Sequence, residues 1–295
     1  MYKILKKRFL NENTYEMVID APRVSKNCMP GQFIILKLDD KGERIPLTIA
    51  DFDREKGTIT IVVQKVGAST TKLSYLNEGD YVEDFAGPIG LASELTNESI
   101  EDLKKKKILF VGGGVGIAPI YPQAKWLHEN GVDCDVIVGA RSKDILIYED
   151  EIRKVCKNLY IATDDGSYGK KGLVTDVIQD LYNEGKKYDV CISIGPLVMM
   201  KFVCRLTKTL NLKTIVSMNP IMVDGTGMCG CCRVNVGDEV KFACVDGPEF
   251  DGHLIDFDNV IARSKIYQTE EGRAMLKLQE GDTHHGGCGN CGGDK

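Results

Sequence analysis

The sequence predicts a β barrel plus an α/β unit. An antiparallel barrel is expected over residues 1–100 and a parallel, helix-wound sheet over 101–220. A glycine- and cysteine-rich segment should follow over 221–265, then an extension over 266–295. Three observations predict this order. Short strands and turns fill the first part without helices between them. Apolar strands alternate with helical stretches in the second. Past Asn219 and Pro220 the remaining cysteines crowd together.

In the first part, Thr14-Tyr15-Glu16-Met17-Val18-Ile19 alternates, Gln32 to Leu38 follows a Pro-Gly turn, and Thr58 to Val63 follows Gly57. Strands at this spacing suit a small antiparallel barrel. A short helix is expected from near Ser69 to before Gly79. From Lys107 the pattern changes: Ile108-Leu109-Phe110-Val111 is a continuous apolar strand, followed by glycines and a helix from about Ala118 to Glu129. Strands at Val136 to Val138, Leu159 to Ile161 and Val190 to Ser193, with a helix from Val174 to Tyr182, complete a βα alternation that implies a parallel sheet.

The 295 residues allow about two domains at roughly 150 residues each. A hydrophobic share of 43% supports ordinary cores, and 27% charged residues with a net charge of −5 point away from nucleic acid. Lys104 to Lys107 form the one dense basic run, read as a solvated loop before a buried strand. No stretch reaches the ~18 apolar residues of a membrane helix, and the N-terminus lacks a signal peptide's apolar segment, so a cytoplasmic location is expected.

Eleven cysteines fall into two groups. Cys28, Cys134, Cys156, Cys191 and Cys204 stand alone and read as buried small hydrophobes. Cys229, Cys231, Cys232, Cys244, Cys288 and Cys291 crowd into the last quarter. In a reducing compartment such a crowd points to a metal site.

Two segments suit a dinucleotide. Gly112, Gly113, Gly114 and Gly116, with Ala118 and Pro119, join a buried strand to a helix, so backbone and helix N-terminus can approach a pyrophosphate. The same glycines also suit a plain tight turn. Arg141 and Ser142 follow a later strand, where a ribose would lie at the carboxyl edge of the sheet. Gly195, Pro196 and Met199 follow the last strand and open another helix.

This arrangement resembles the ferredoxin–NADP reductase superfamily, whose members place a Cys-Gly-Pro-x-x-Met segment beside the nicotinamide. Ile194 stands here at the cysteine's place, which leaves Gly195 and Pro196 a shaping role. Arg44-Ile45-Pro46-Leu47-Thr48 resembles that superfamily's flavin motif. The resemblance gives Arg44 to the flavin pyrophosphate and places the Thr48 hydroxyl, the expected catalytic group, near the reactive ring nitrogen, with Pro46 and Leu47 lining the site. Arg44 lies four residues before the hydroxyl instead of the usual three. Gly67, Ser69, Thr70 and Thr71 resemble the second flavin segment, although a hydroxyl cluster also suits a helix N-cap. Gly87-Pro88-Ile89-Gly90 resembles the turn that closes the barrel.

Asp224-Gly225-Thr226-Gly227-Met228-Cys229-Gly230-Cys231-Cys232, with Cys244 further on, reproduces plant-type 2Fe–2S spacing with aspartate in the first position. Asp224, Cys229, Cys232 and Cys244 are the expected ligands. Cys231 in place of Asp224, or zinc on the cysteines, are the alternatives.

Barrel, nucleotide domain and cluster segment together resemble the electron-transfer subunits of dihydroorotate dehydrogenase type B. Asp224 and the Arg44–Thr48 segment are closer to the small subunits of NADH-dependent ferredoxin:NADP oxidoreductases, also described as sulfide dehydrogenases. The resemblance implies FAD, a 2Fe–2S cluster and NAD(H) as cofactors. Its implied partner is a larger subunit carrying FAD and 4Fe–4S clusters, through which electrons reach ferredoxin by bifurcation. A nucleotide-binding regulatory module with a structural metal is the reading from another class. Asp164 and Asp165 add negative charge near the expected ribose site, which favours NAD(H) over a 2′-phosphate held by Arg141 and Lys143. In the tail, Cys288 and Cys291 with His284 and His285 suit a metal, a dithiol or an exposed end.

Overall fold

The computed structural model describes residues 1–280. Its first sheet consists of β1 (Tyr2–Asn11), β2 (Thr14–Asp20), β3 (Phe33–Lys37), β4 (Arg44–Asp53), β5 (Thr58–Gln64), β6 (Tyr81–Val82) and β7 (Asp84–Ile89), with short helices α1 (Pro22–Asn27) and α2 (Ala68–Leu73) between strands. The strands lie in the order β6-β1-β2-β5-β4-β3-β7 and curl into a nearly closed antiparallel barrel. Tyr15 pairs with Val63, Met17 with Ile61 and Ile19 with Ile59. All six side chains are buried in one core, because alternate residues of a strand share a face.

β1 escaped sequence detection because its pattern is polar. Only Ile4 is buried among Lys3, Lys6, Lys7 and Arg8. Lys7 instead reaches the carbonyls of Ser74 and Leu76 just past α2.

The second half contains α3 (Ile100–Leu103), β8 (Ile108–Gly113), α4 (Ile117–Glu129), β9 (Cys134–Ala140), α5 (Glu149–Arg153), β10 (Asn158–Thr163), β11 (Lys170–Lys171), α6 (Val174–Asn183), β12 (Val190–Ile194), α7 (Leu197–Thr209) and β13 (Lys213–Ser217). The last stretch adds the hairpin β14 (Arg233–Val236) and β15 (Glu239–Phe242), then β16 (Glu249–Asp251), α8 (Phe257–Arg263) and α9 (Gln268–Glu280). The sheet order is β11-β10-β9-β8-β12-β13-β16. Every pairing is parallel except β13 with β16. β8 is buried at every residue, as a central parallel strand should be. On α6, Val174, Val177, Ile178 and Leu181 form the buried stripe of an amphipathic helix.

The strand order reverses between β8 and β12, so their C-terminal turns open the crevice where nucleotides bind in such sheets. Residues 221–265 do not stand apart from this sheet. They lend it β16, and their core mixes Cys232, Val234, Ala243 and Cys244 with Phe33 and Ile35 of the barrel and Met200, Cys204 and Val216 of the second sheet. Cys28, Cys134, Cys191 and Cys204 are buried as expected, while Cys156 is only half-buried. Among the described residues no helix is long and apolar enough to cross a membrane.

Glu249 on β16 sits where the three parts meet. Ser93 Oγ, the Glu94 N–H and Gln123 Nε2 donate to its carboxylate at 3.0, 3.2 and 2.8 Å. Although part of the residue reaches the surface, its carboxyl is enclosed, and burial raises it from the ordinary 4.5. For a carboxyl raised in the folded state, the associated stability is present below the unfolded value and lost as pH rises through the folded one. Denaturant unfolding should therefore show stability declining above about pH 4.5, a slope that Glu249→Gln should flatten; an identical slope in the variant would reject this assignment.

Candidate cofactor sites

At the switch point, the turns after β8 and β12 are pressed together. A Cβ on Gly116 would stand 2.3 Å from the Ile194 carbonyl oxygen and 2.7 Å from the Gly195 Cα. One on Gly113 would meet Met199 Sδ at 2.3 Å, and one on Gly195 would meet Met199 Cε at 2.7 Å. These three glycines therefore allow turn to pack on turn. Gly114 differs: its φ is +54° and nothing lies within 4 Å of where its Cβ would stand, so the open face of the turn is there. Ala118 is buried in the first turn of α4, with Pro119 beside it. Pro196 caps the 13-residue α7 from an exposed position.

The ribose region takes its shape from two adjacent loops. The Asp164 N–H donates to the Ala140 carbonyl at 3.0 Å and the Asp165 N–H to that of Arg141 at 3.2 Å. Both aspartates and Arg141 are exposed, and Ser142, in the loop after β9, is half-buried. Lys143 lies over the Tyr168 ring, 4.9 Å from its centroid. The Lys143 N–H donates to Ser167 Oγ, and Ser167 is itself held by Asp165.

On the barrel, β4 pairs with β3 in unbroken register from Arg44 opposite Lys37 to Thr48 opposite Phe33. Arg44, Pro46 and Thr48 therefore share the outer face, while Ile45 and Leu47 pack against the barrel core. Thr48 is half-exposed there. Gly67 leaves open space where its Cβ would be, a cradle that fits phosphate. The Thr70 hydroxyl is engaged by its own helix: it accepts from the Val66 and Gly67 N–H groups at 3.0 and 3.1 Å. Tyr15 OH anchors the Thr70 carbonyl at 2.7 Å. Ser69 hydrogen-bonds Glu43, a carboxylate that must give way to any phosphate, and Thr71 is half-buried beside it. Nothing in sequence spacing pointed to Glu43 or Tyr15. Arg44 does not point to this segment; its guanidinium donates to the carbonyls of Val223 and Asp224 at 2.7 and 3.3 Å.

The cluster loop winds through left-handed glycines, Gly225, Gly227 and Gly230, at φ of 78°, 82° and 65°. It places the expected ligands in two pairs. The buried Cys232 thiol donates to Cys244 Sγ at 3.2 Å. The Asp224 carboxylate accepts the Thr226 and Cys229 N–H groups at 3.0 and 2.9 Å. Those contacts, the Thr226 N–H foremost, hold the Asp224 carboxyl down at about 2. Burial pushes Cys244 up to about 12, so iron would displace a proton from this thiol on binding. Burial and the neighbouring Cys229 also raise Cys231. Among the described residues no three His, Cys, Asp or Glu side chains already close on one point. Three thiols and a carboxylate are nonetheless a donor set that fits the two irons of a 2Fe–2S cluster.

Residues 110–205 match the oxidoreductase NAD-binding domain, and residues 219–256 match the iron–sulfur cluster binding domain of dihydroorotate dehydrogenase B. An uncharacterized protein in the adh 3′ region of Clostridium beijerinckii is 61% identical over the full length of both chains. A Thermotoga maritima homologue of the dihydroorotate dehydrogenase B (NAD(+)) electron transfer subunit is 46% identical, over 91% of this chain and 92% of its own. The chain belongs to the family of dihydroorotate dehydrogenase B electron-transfer subunits and their homologues. Among solved structures, a chain described with the NADH-dependent reduced ferredoxin-NADP oxidoreductase superposes with a TM-score of 0.87 at 44% identity, covering 95% of this chain and 98% of that one.

As a member of this electron-transfer family the chain is an oxidoreductase subunit, and its fold and domains correspond to FAD, a 2Fe–2S cluster and NAD(H). The Cys288 and Cys291 tail, with His284 and His285, lies outside the described residues.

Two substitutions test the expectation that Asp224 is a ligand. Asp224→Cys should keep a cluster but alter its electron paramagnetic resonance spectrum, while Cys231→Ser should leave the spectrum as it was. Loss of the cluster in Cys231→Ser with an unaltered spectrum in Asp224→Cys would transfer the ligand role to Cys231.

Proposed function

We propose that the chain is the small subunit of an electron-bifurcating NADH-dependent ferredoxin:NADP+ oxidoreductase. It would exchange electrons with NAD(H) and relay them to a larger subunit bearing FAD and 4Fe–4S clusters, and so to ferredoxin. The observation that carries this reading is the near full-length match to a structure of that description, at 44% identity and a TM-score of 0.87. Bound FAD supplies the exchange between a two-electron hydride donor and one-electron carriers.

The chain's own residues divide the remaining work. Gly114 opens the β8 turn to a pyrophosphate at the N-terminus of α4. Gly113, Gly116 and Gly195 seat the turn beside Pro196, which shapes the nicotinamide end. The Thr48 hydroxyl, on the outer face of β4, is placed to hydrogen-bond the flavin ring, with Gly67, Ser69 and Thr71 towards its phosphates. Asp224, Cys229, Cys232 and Cys244 hold the cluster.

The relatives' names support a second reading, an electron-transfer subunit for dihydroorotate oxidation. Copurification of the native chain separates the two: a flavin and iron–sulfur subunit that reduces NADP+ supports the first, and a dihydroorotate-oxidising subunit the second.

NAD(H) should be the substrate of this subunit. The exposed residues Asp164 and Asp165 are held beside this loop by their backbone N–H groups, and Lys143 lies over the Tyr168 ring. Diaphorase assays on the isolated chain should favour NADH. A kcat/KM for NADPH tenfold above that for NADH, about 1.4 kcal/mol in barrier height, would contradict this.

A further inference from the structure

We propose that Arg44 is a positioning residue for the iron–sulfur loop, and that its charge raises the cluster's potential; this rests on the reading of Asp224–Cys244 as the cluster loop. Arg44 starts β4, and its two hydrogen bonds end on consecutive carbonyls, Val223 at 2.7 Å and Asp224 at 3.3 Å. Asp224 is thus gripped from two sides, its carbonyl by Arg44 and its carboxylate by the Thr226 and Cys229 N–H groups. The next residue presses the loop onto the same barrel face. A Cβ on Gly225 would stand 2.6 Å from Ile35 Cδ1 and 3.1 Å from Ile89 Cδ1.

The neighbouring side chain serves the other segment, since Glu43 bonds Ser69 at the start of α2. The beginning of β4 therefore fastens two loops, and the cationic member is joined to the cluster loop. Arg44 and Thr48 share a strand face four residues apart, a separation of roughly 13 Å at the usual rise. One rigid strand thereby fixes the cluster loop against the surface where the flavin ring is expected. A guanidinium at this place favours the more negative, reduced cluster.

Arg44→Gln removes the charge but keeps one amide donor, while Arg44→Lys keeps the charge and loses the fork. Both should retain the secondary structure seen by circular dichroism and the wild-type FAD content. In Arg44→Gln the cluster's midpoint potential should fall by a tenfold change in its oxidised-to-reduced ratio, about 59 mV for one electron, with an altered resonance spectrum. Arg44→Lys should fall by less. Loss of iron with FAD retained would support the same role. Loss of FAD with cluster spectrum and potential unchanged would overturn it and return Arg44 to the flavin phosphates. A wild-type chain without any 2Fe–2S spectrum would remove the cluster reading itself.

Discussion

Gly116→Ala is expected to destabilise the chain and to cut NADH oxidation by more than tenfold. The added methyl would stand 2.3 Å from the Ile194 carbonyl oxygen and 2.7 Å from the Gly195 Cα, and neither backbone atom can rotate away. The φ of Gly116 is −63°, which alanine adopts freely, so the whole effect is steric. Overpacking of this kind costs about 1–3 kcal/mol, and relief comes only by parting the two turns that shape the nucleotide crevice. Gly114→Ala makes the contrast. Its surroundings are open, and only the left-handed φ of +54° is strained, at roughly 1–2 kcal/mol. That variant should lose a few degrees of melting temperature to this strain and should bind NADH more weakly, because the methyl would face the pyrophosphate proposed to bind at this turn. Thermal melts and diaphorase rates on the two variants test this, and a wild-type melt and rate for Gly116→Ala would show that the turns do not depend on this contact.

Cys244→Ser should remove the cluster while sparing the flavin. Cys244 and Cys232 are each only 1% exposed and share a core with the barrel residues Phe33 and Ile35. Serine there offers iron a poor ligand and leaves a hydroxyl to be satisfied in an apolar surrounding, at about 1–3 kcal/mol. The barrel and the nucleotide sheet are held by cores that contain no residue of the cluster segment, so FAD and NADH-dependent diaphorase activity should persist. Iron content and the reduced-cluster resonance signal should vanish together. An unchanged signal in Cys244→Ser would mean that another residue completes the ligand set.

How much was legible in the sequence differs by segment. Apolar runs such as Ile108 to Val111 can only be buried strands, and they were read with ends off by one or two residues. β1 was missed because its inward-facing positions include little besides Ile4, and the lysines on its other side disguise the alternation. β16 is three residues long and pairs across a distance in sequence that no local pattern reveals.

Ligand spacing marked the cluster loop, yet spacing cannot show that Asp224 and Cys232 each pair with a different cysteine. Glycine runs look alike in sequence. Only geometry separates Gly114, which opens the turn, from Gly113 and Gly116, which let the backbone close on its neighbour. A motif likewise names Arg44 without fixing which way it points, and here the loop of Val223 and Asp224 offers nearby carbonyls.

The most direct test of the whole account is a cofactor count on the chain purified anaerobically, by iron, acid-labile sulfide and flavin assays on one sample. The expected result is one FAD with one 2Fe–2S cluster per chain, hence equal iron and labile sulfide. Four irons per chain, zinc in place of iron, or a colourless preparation without flavin would contradict it.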